Sequence, residues 1–149
     1  MQGSSIQFAV FLFLAVFTAG AMTTLQIQHY GIYPYVGRDD FKRYMQANNQ
    51  AALIPAVVPG MALLVLSLSL VFIRPPFMTF YEAIGCFLLN LAALVSTFTW
   101  QRKLQAEMAA TGYDDAKVKL LLSTNWIRTC AFLAQAVLVT GLAVQSCGS

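Results

Sequence analysis

Apolar residues in this chain run in four long blocks, at 6–26, 51–73, 77–100 and 120–144. Each reaches the ~20 residues that a helix needs to cross the hydrocarbon of a bilayer. Strands of a membrane barrel would be about 10 residues long and would alternate strictly, and these blocks do not alternate. In lipid every backbone N–H and C=O must bond within its own segment, which predicts helices. The pattern therefore predicts an all-α, integral membrane four-helix bundle, built as a single domain over residues 1–149. The first block is not read as a cleaved signal peptide. It lacks a basic leading region and outruns the usual apolar core of about 7–15 residues, although Ala19-Gly20-Ala21 has some cleavage-site character.

Composition agrees with the pattern. Hydrophobic residues make up 58% of the chain and charged residues 10%, against about 45–50% and 25% for an ordinary soluble domain. A soluble domain of this size buries only about 70% of its surface and has no room to hide that excess. Soluble enzyme, disordered tail and disulfide-scaffold classes are excluded. Cys86, Cys130 and Cys147 have no CxxC spacing and lie in or beside apolar stretches. They are expected to be small buried hydrophobes.

Charge sets the orientation. The net charge is +3, but no basic run is long enough for a nucleic-acid footprint. Arg38, Lys42 and Arg43 lie in the first loop, and Arg102, Lys103, Lys117 and Lys119 in the third, against Arg74 alone in the second. Basic residues hold short loops in the cytoplasm, so both long loops are expected inside and both termini on the non-cytoplasmic side of the cell inner membrane. Pro75-Pro76 should end the second helix and turn the chain tightly into the third.

In the first loop, Tyr30, Tyr33 and Tyr35 flank Gly31 and Pro34, which reads as an irregular aromatic piece at the interface. A helix then starts near Asp39, with Phe41, Tyr44 and Met45 on one face, and can run on into the second span. Pro55 and Pro59 are expected to kink that span near its cytoplasmic end. In the third loop, 101–110 should extend the third helix. Gly112 should stop it, and Asp114 or Asp115 should cap the next.

Polar residues inside the apolar blocks carry the functional signal, because ionisable groups at membrane depth are costly and face the bundle interior. Glu82, Cys86, Asn90 and Thr97 share one helical face, and Asn125, Arg128 and Gln135 share another. At ~1.5 Å per residue, Arg128 lies ~13 Å beyond Lys119 and Asn90 ~15 Å from Trp100, so the two are nearly level. Glu82 is another ~12 Å out, level with Gln135. Asn90–Arg128 and Glu82–Gln135 are the favoured pairings, with a Glu82–Arg128 ion pair requiring a longer reach. Gly20, Ala21, Gly60, Gly85 and Gly141 are expected to let helices approach closely. His29, the only histidine, has no cluster of acids or histidines around it, so no metal site is expected. It can serve as a proton donor or acceptor.

Two strings resemble a known family. One is His29-Tyr30-Gly31-Ile32-Tyr33-Pro34-Tyr35-Val36-Gly37 with Asp40-Phe41 and Tyr44. The other is Gly112-Tyr113-Asp114 followed by Leu122-Ser123-Thr124-Asn125-Trp126-Ile127-Arg128-Thr129. Together they look like small bacterial four-helix membrane proteins distantly similar to the anthrone-oxygenase-like membrane proteins. That resemblance implies oxidation of a polycyclic phenol by O₂ with no metal or organic cofactor, with His29, Asn125, Trp126 and Arg128 at the matching positions. The family carries further histidines at two places where this chain has Asn48-Asn49 and Gln105-Ala106.

The leading expectation is a bundle in the bilayer that binds a hydrophobic, quinone-like ligand or a membrane partner, as part of a larger complex or homo-oligomer and without a cofactor. Glu82, Asn90, Trp126 and Gln135 are the candidate ligand contacts. The alternative is an oxygenase-like enzyme. In it, Arg128 and Asn125 stabilise a phenolate, Trp126 stacks on the ring and His29 handles protons. A small exporter is disfavoured, since the first helix carries no coupling carboxylate.

Overall fold

The computed structural model describes residues 2–52, 54 and 57–148. Among these residues six α-helices follow in order: α1 (Gln2–Thr24), α2 (Phe41–Ala51), α3 (Val58–Phe72), α4 (Phe80–Ser96), α5 (Arg102–Thr111) and α6 (Asp115–Gly148). No strand occurs among the described residues. Three continuous helical stretches, Ser4–Tyr35, Phe80–Thr111 and Asp115–Cys147, are long and apolar enough to cross a membrane, and α3 is a shorter apolar helix. α1 packs on α3, α3 on α4, α4 on α6 and α6 back on α1, closing a cycle, while α2 packs on α5 beyond one end of it.

Local chemistry explains most boundaries. Met78 donates to Pro75 O at 3.0 Å, closing the turn that the proline pair predicts. Thr79 then caps α4 reciprocally with Glu82: the Glu82 N–H donates to Thr79 Oγ1 and the Thr79 N–H to Glu82 Oε2. Gly112 ends α5 at φ 94°, a left-handed backbone that a side chain would strain. The Asp114 carboxylate accepts from the N–H groups of Ala116 and Lys117, so Asp114 starts α6. α2 begins at Phe41 and ends at Ala51, with Ala52 as its C-cap residue. Pro59 stands in the first turn of α3, where a missing N–H is tolerated. The kink expected at Pro55 falls outside the described residues.

Two departures from α geometry matter. Leu25–His29 and Thr97–Gln101 form single π-helical turns, the first leading into a 3₁₀ turn, Tyr30–Tyr35. The aromatic piece after the first apolar block is thus helical, where the sequence suggested irregular chain. Pro34 lacks an N–H, but a short 3₁₀ run tolerates it. Eclipsed i,i+3 geometry sets Tyr30 edge to face against Tyr33, ring centroids 5.4 Å apart. In the second π turn, Ser96 and Gln101 bond side chain to side chain. That five-residue spacing shares a face only where the helix widens.

The core has two parts. Phe8, Phe11, Ala15, Met22, Leu63 and Leu70, with residues of α4 and α6, fill the cycle of apolar helices. Tyr30, Tyr33, Phe41, Met45, Leu104, Met108 and Leu121 fill a second core where α2 and α5 meet the ends of the long helices. Phe41 and Met45 are buried, as the spacing in α2 predicts. Cys86 is buried, but Cys130 and Cys147 are exposed, contrary to expectation, because they lie on outward faces of α6. Gly20, Gly85 and Gly141 face open space and seat no neighbouring helix. Gly60 alone of the expected close-approach glycines meets a neighbour, the Phe132 ring of α6, at contact distance.

Candidate functional site

A polar layer separates the two cores, and Arg128 is its centre. The residue is 8% exposed. Its Nη2 donates to Asn125 Oδ1 one turn back on α6 and to Tyr30 Oη at 3.2 Å. Asn125 Nδ2 in turn donates to Gln26 Oε1, and Gln26 Nε2 donates to Leu122 O at 3.1 Å. Tyr30 Oη also accepts from Gln105 Nε2 of α5 at 3.2 Å. One continuous chain of hydrogen bonds therefore ties the π and 3₁₀ turns that follow α1 to α5 and α6 at the level of the arginine. Fixed dipoles in a water-poor interior make these bonds stronger than they would be in water, and an unpaired member costlier.

Two cavities meet at this layer. The larger, about 210 Å³, has walls that include Met22, Gly60, Met61, Phe98 and Phe132, with Asn90 and Arg128 as polar points. The smaller, about 40 Å³, is lined by His29, Tyr30, Asn48, Asn49, Gln105 and Arg128 among others. Val57, Thr97, Arg102 and Arg128 border both. Four residues on these walls each carry a buried polar atom with no hydrogen-bond partner among the described residues: Arg128 (Nε), Asn90 (Oδ1), His29 (Nε2) and Asn49 (Oδ1). Such orphans are uncommon in native interiors, and each calls for a partner.

The orientation of Asn90 follows from its neighbours. Its Nδ2 donates to Cys86 O at 3.2 Å and Leu63 O at 3.4 Å, both carbonyls, so Oδ1 is the free end. Asn90 and Arg128 share the cavity, as their equal depth implies, but do not bond to each other. The His29 ring packs against Tyr30, Tyr33 and Tyr44, with centroids 5.5 to 6.3 Å apart. Asn48 Nδ2 donates to Tyr33 Oη and Asn49 Nδ2 to Gln105 O. Burial raises the Tyr44 phenol above its ordinary range, so it stays neutral.

Other singled-out residues lie elsewhere. Glu82 sits at the start of α4, its carboxylate held by Thr79, and pairs with neither Gln135 nor Arg128. The Thr79-x-x-Glu82 spacing of a capping box was the available signal. Gln135 is fully buried, and neither end of its amide has a partner. Trp126 is 46% exposed and borders a separate shallow groove with Tyr113 and Lys119. Two residues along a helix turn by about 200°, so Trp126 and Arg128 face opposite ways. Sequence reasoning missed Gln26, Tyr30 and Gln101 as layer members. The π turns that aim Gln26 and Gln101 inward leave no periodic trace. Comparison with protein-family models, curated proteins and solved structures finds no match to this chain.

Proposed function

We propose that this protein is a small four-span protein of the cell inner membrane, with both termini outside, that binds a hydrophobic ligand bearing an oxygen in the cavity at Arg128. The carrying observation is the ~210 Å³ cavity whose largely apolar walls include the buried side chains of Arg128 and Asn90, each with a polar atom that has no partner among the described residues. For scale, an apolar cavity of about 150 Å³ takes a benzene molecule. This space suits a body of about two fused rings, with one oxygen on the Arg128 N–H and a hydroxyl on Asn90. The membrane reading is supported by exposed Phe13, Val65, Phe98 and Val137 along the apolar helices. Packing of α2 on α5 also brings both basic loops to one end. In intact cells, a membrane-impermeant maleimide should label the exposed Cys147 from outside.

Binding of 2-naphthol to the purified protein tests the ligand reading. Gly60→Leu fills the cavity without touching a hydrogen bond and should abolish binding while the helices stay folded. Equal binding to both proteins would place the ligand elsewhere or nowhere.

One observation favours an enzymatic second reading in line with the anthrone-oxygenase resemblance: the His29 side chain borders the chamber beside Arg128. There it would accept a phenolic proton while Arg128 holds the phenolate. The amides Asn48, Asn49 and Gln105 complete that chamber and cannot move protons as imidazoles do, which favours binding over turnover. Incubation with an anthrone under O₂ separates the two. Turnover lost in His29→Gln would establish the enzyme; none above background in wild type removes it.

A further inference from the structure

Arg128 brings a full positive charge into the interior, and its hydrogen-bond partners, Tyr30 and Asn125, are neutral. Arg102 borders both cavities as a second cation, and among the described residues no Asp or Glu lines either one. Among the described residues the ion pairs are Arg38–Asp115 and Lys117–Glu107, both remote from the layer. A buried guanidinium without a counter-ion is costly, and neutral hydrogen bonds offset only part of the cost. Both of the Arg128 hydrogen bonds come from Nη2; Nε is buried without a partner among the described residues, and the side chain lines the cavity wall.

The larger cavity also has a side opening. Its inner wall is buried (Met22, Ala93, Phe132), while Met61 on α3 and Phe98 after α4 are 42% and 62% exposed. The mouth thus lies between α3 and α4 and is rimmed by apolar side chains, with Arg102 at its polar edge.

We propose that the occupant is a mono-anionic amphiphile, an apolar body carrying one carboxylate or phenolate oxygen, which enters sideways from the lipid past Met61 and Phe98 and supplies the missing counter-ion of Arg128. This rests on the ligand reading above and narrows it: a neutral quinone would fill the space but leave the charge unanswered. The shared chemistry, an anionic oxygen on an apolar body, has two sources, an aromatic acid or phenolate and a fatty carboxylate from the membrane.

Matched pairs test it. The full chain in nanodiscs is titrated at pH 7 with 2-naphthoate against 2-naphthamide, and with decanoate against decanamide. The acid of at least one pair should bind about tenfold or more tightly than its amide, the margin of a charge-assisted hydrogen bond, and the tighter acid names the source. Arg128→Gln should bring that ratio to about one while the amide still binds. Arg128→Lys, which keeps the charge, should retain a preference and guards against simple misfolding. Amides that bind wild type as tightly as their acids would overturn the anionic occupant but leave a hydrophobic ligand standing. Failure of all four probes to bind would remove both.

Discussion

The two cores are built from similar residues but held by different forces. Around α2 and α5, Tyr30, Tyr33, Phe41 and Met108 pack in the manner of a soluble domain, and most polar groups beside them are bonded, Asn48 to Tyr33, Asn49 to Gln105 and Gln105 to Tyr30, with His29 Nε2 and Asn49 Oδ1 left over. Within the cycle of apolar helices, Thr18 Oγ1, Asn90 Oδ1 and both ends of Gln135 go unpaired. The first region sits at the charged end of the molecule, where water drives burial. The second would sit in lipid, where helix association rests on packing and the hydrophobic effect between helices is absent. Arg128 lies on the seam, tied into the first region through Tyr30 and lining the cavity on the other side.

The contrast is broken most severely at the seam. Asn125→Leu removes the partner of both Gln26 and Arg128 and leaves a buried charge with one neutral contact. It should cost about 3–5 kcal/mol, read as loss of the folded fraction in detergent melts. A second comparison sharpens the difference in driving force. Phe41 and Phe11 are both fully buried, one in each core. Phe41→Ala should cost about 3–5 kcal/mol. Phe11→Ala, whose reference state is itself apolar, should cost only about half as much. Equal losses in denaturant titrations would erase the distinction between the cores. Gln135→Leu should instead stabilise by about 1–2 kcal/mol, since it removes an unsatisfied buried amide from an apolar setting. Thr79→Ala, which breaks the α4 capping box, should cost about 1 kcal/mol in the same melts.

What the sequence made legible was whatever local chemistry determines. Gly112 and Asp114 mark the α5–α6 joint, the proline pair marks a turn, and residue counting brings Asn90 and Arg128 to one level. The site was harder to read because it depends on interrupted periodicity. A π turn adds a residue to one turn and rotates everything after it, so a 3.6-residue count carried through 97–101 assigns faces wrongly. Glu82 misled for a different reason: its stripe position is real, but Thr79 takes up its carboxylate locally. Trp126 drew notice through its neighbours in sequence, whereas its side chain faces outward.

The central claim is that the Arg128 guanidinium is held in the interior beside a cavity, with Nε shielded from water. Nitrogen-15 NMR of arginine-labelled protein tests it directly, with the signal assigned by its loss in Arg128→Lys. The account predicts an Nε–H that exchanges slowly with water and shifts when an aromatic ligand is added. An Nε–H that exchanges as fast as those of the exposed arginines, and that no ligand moves, would contradict it.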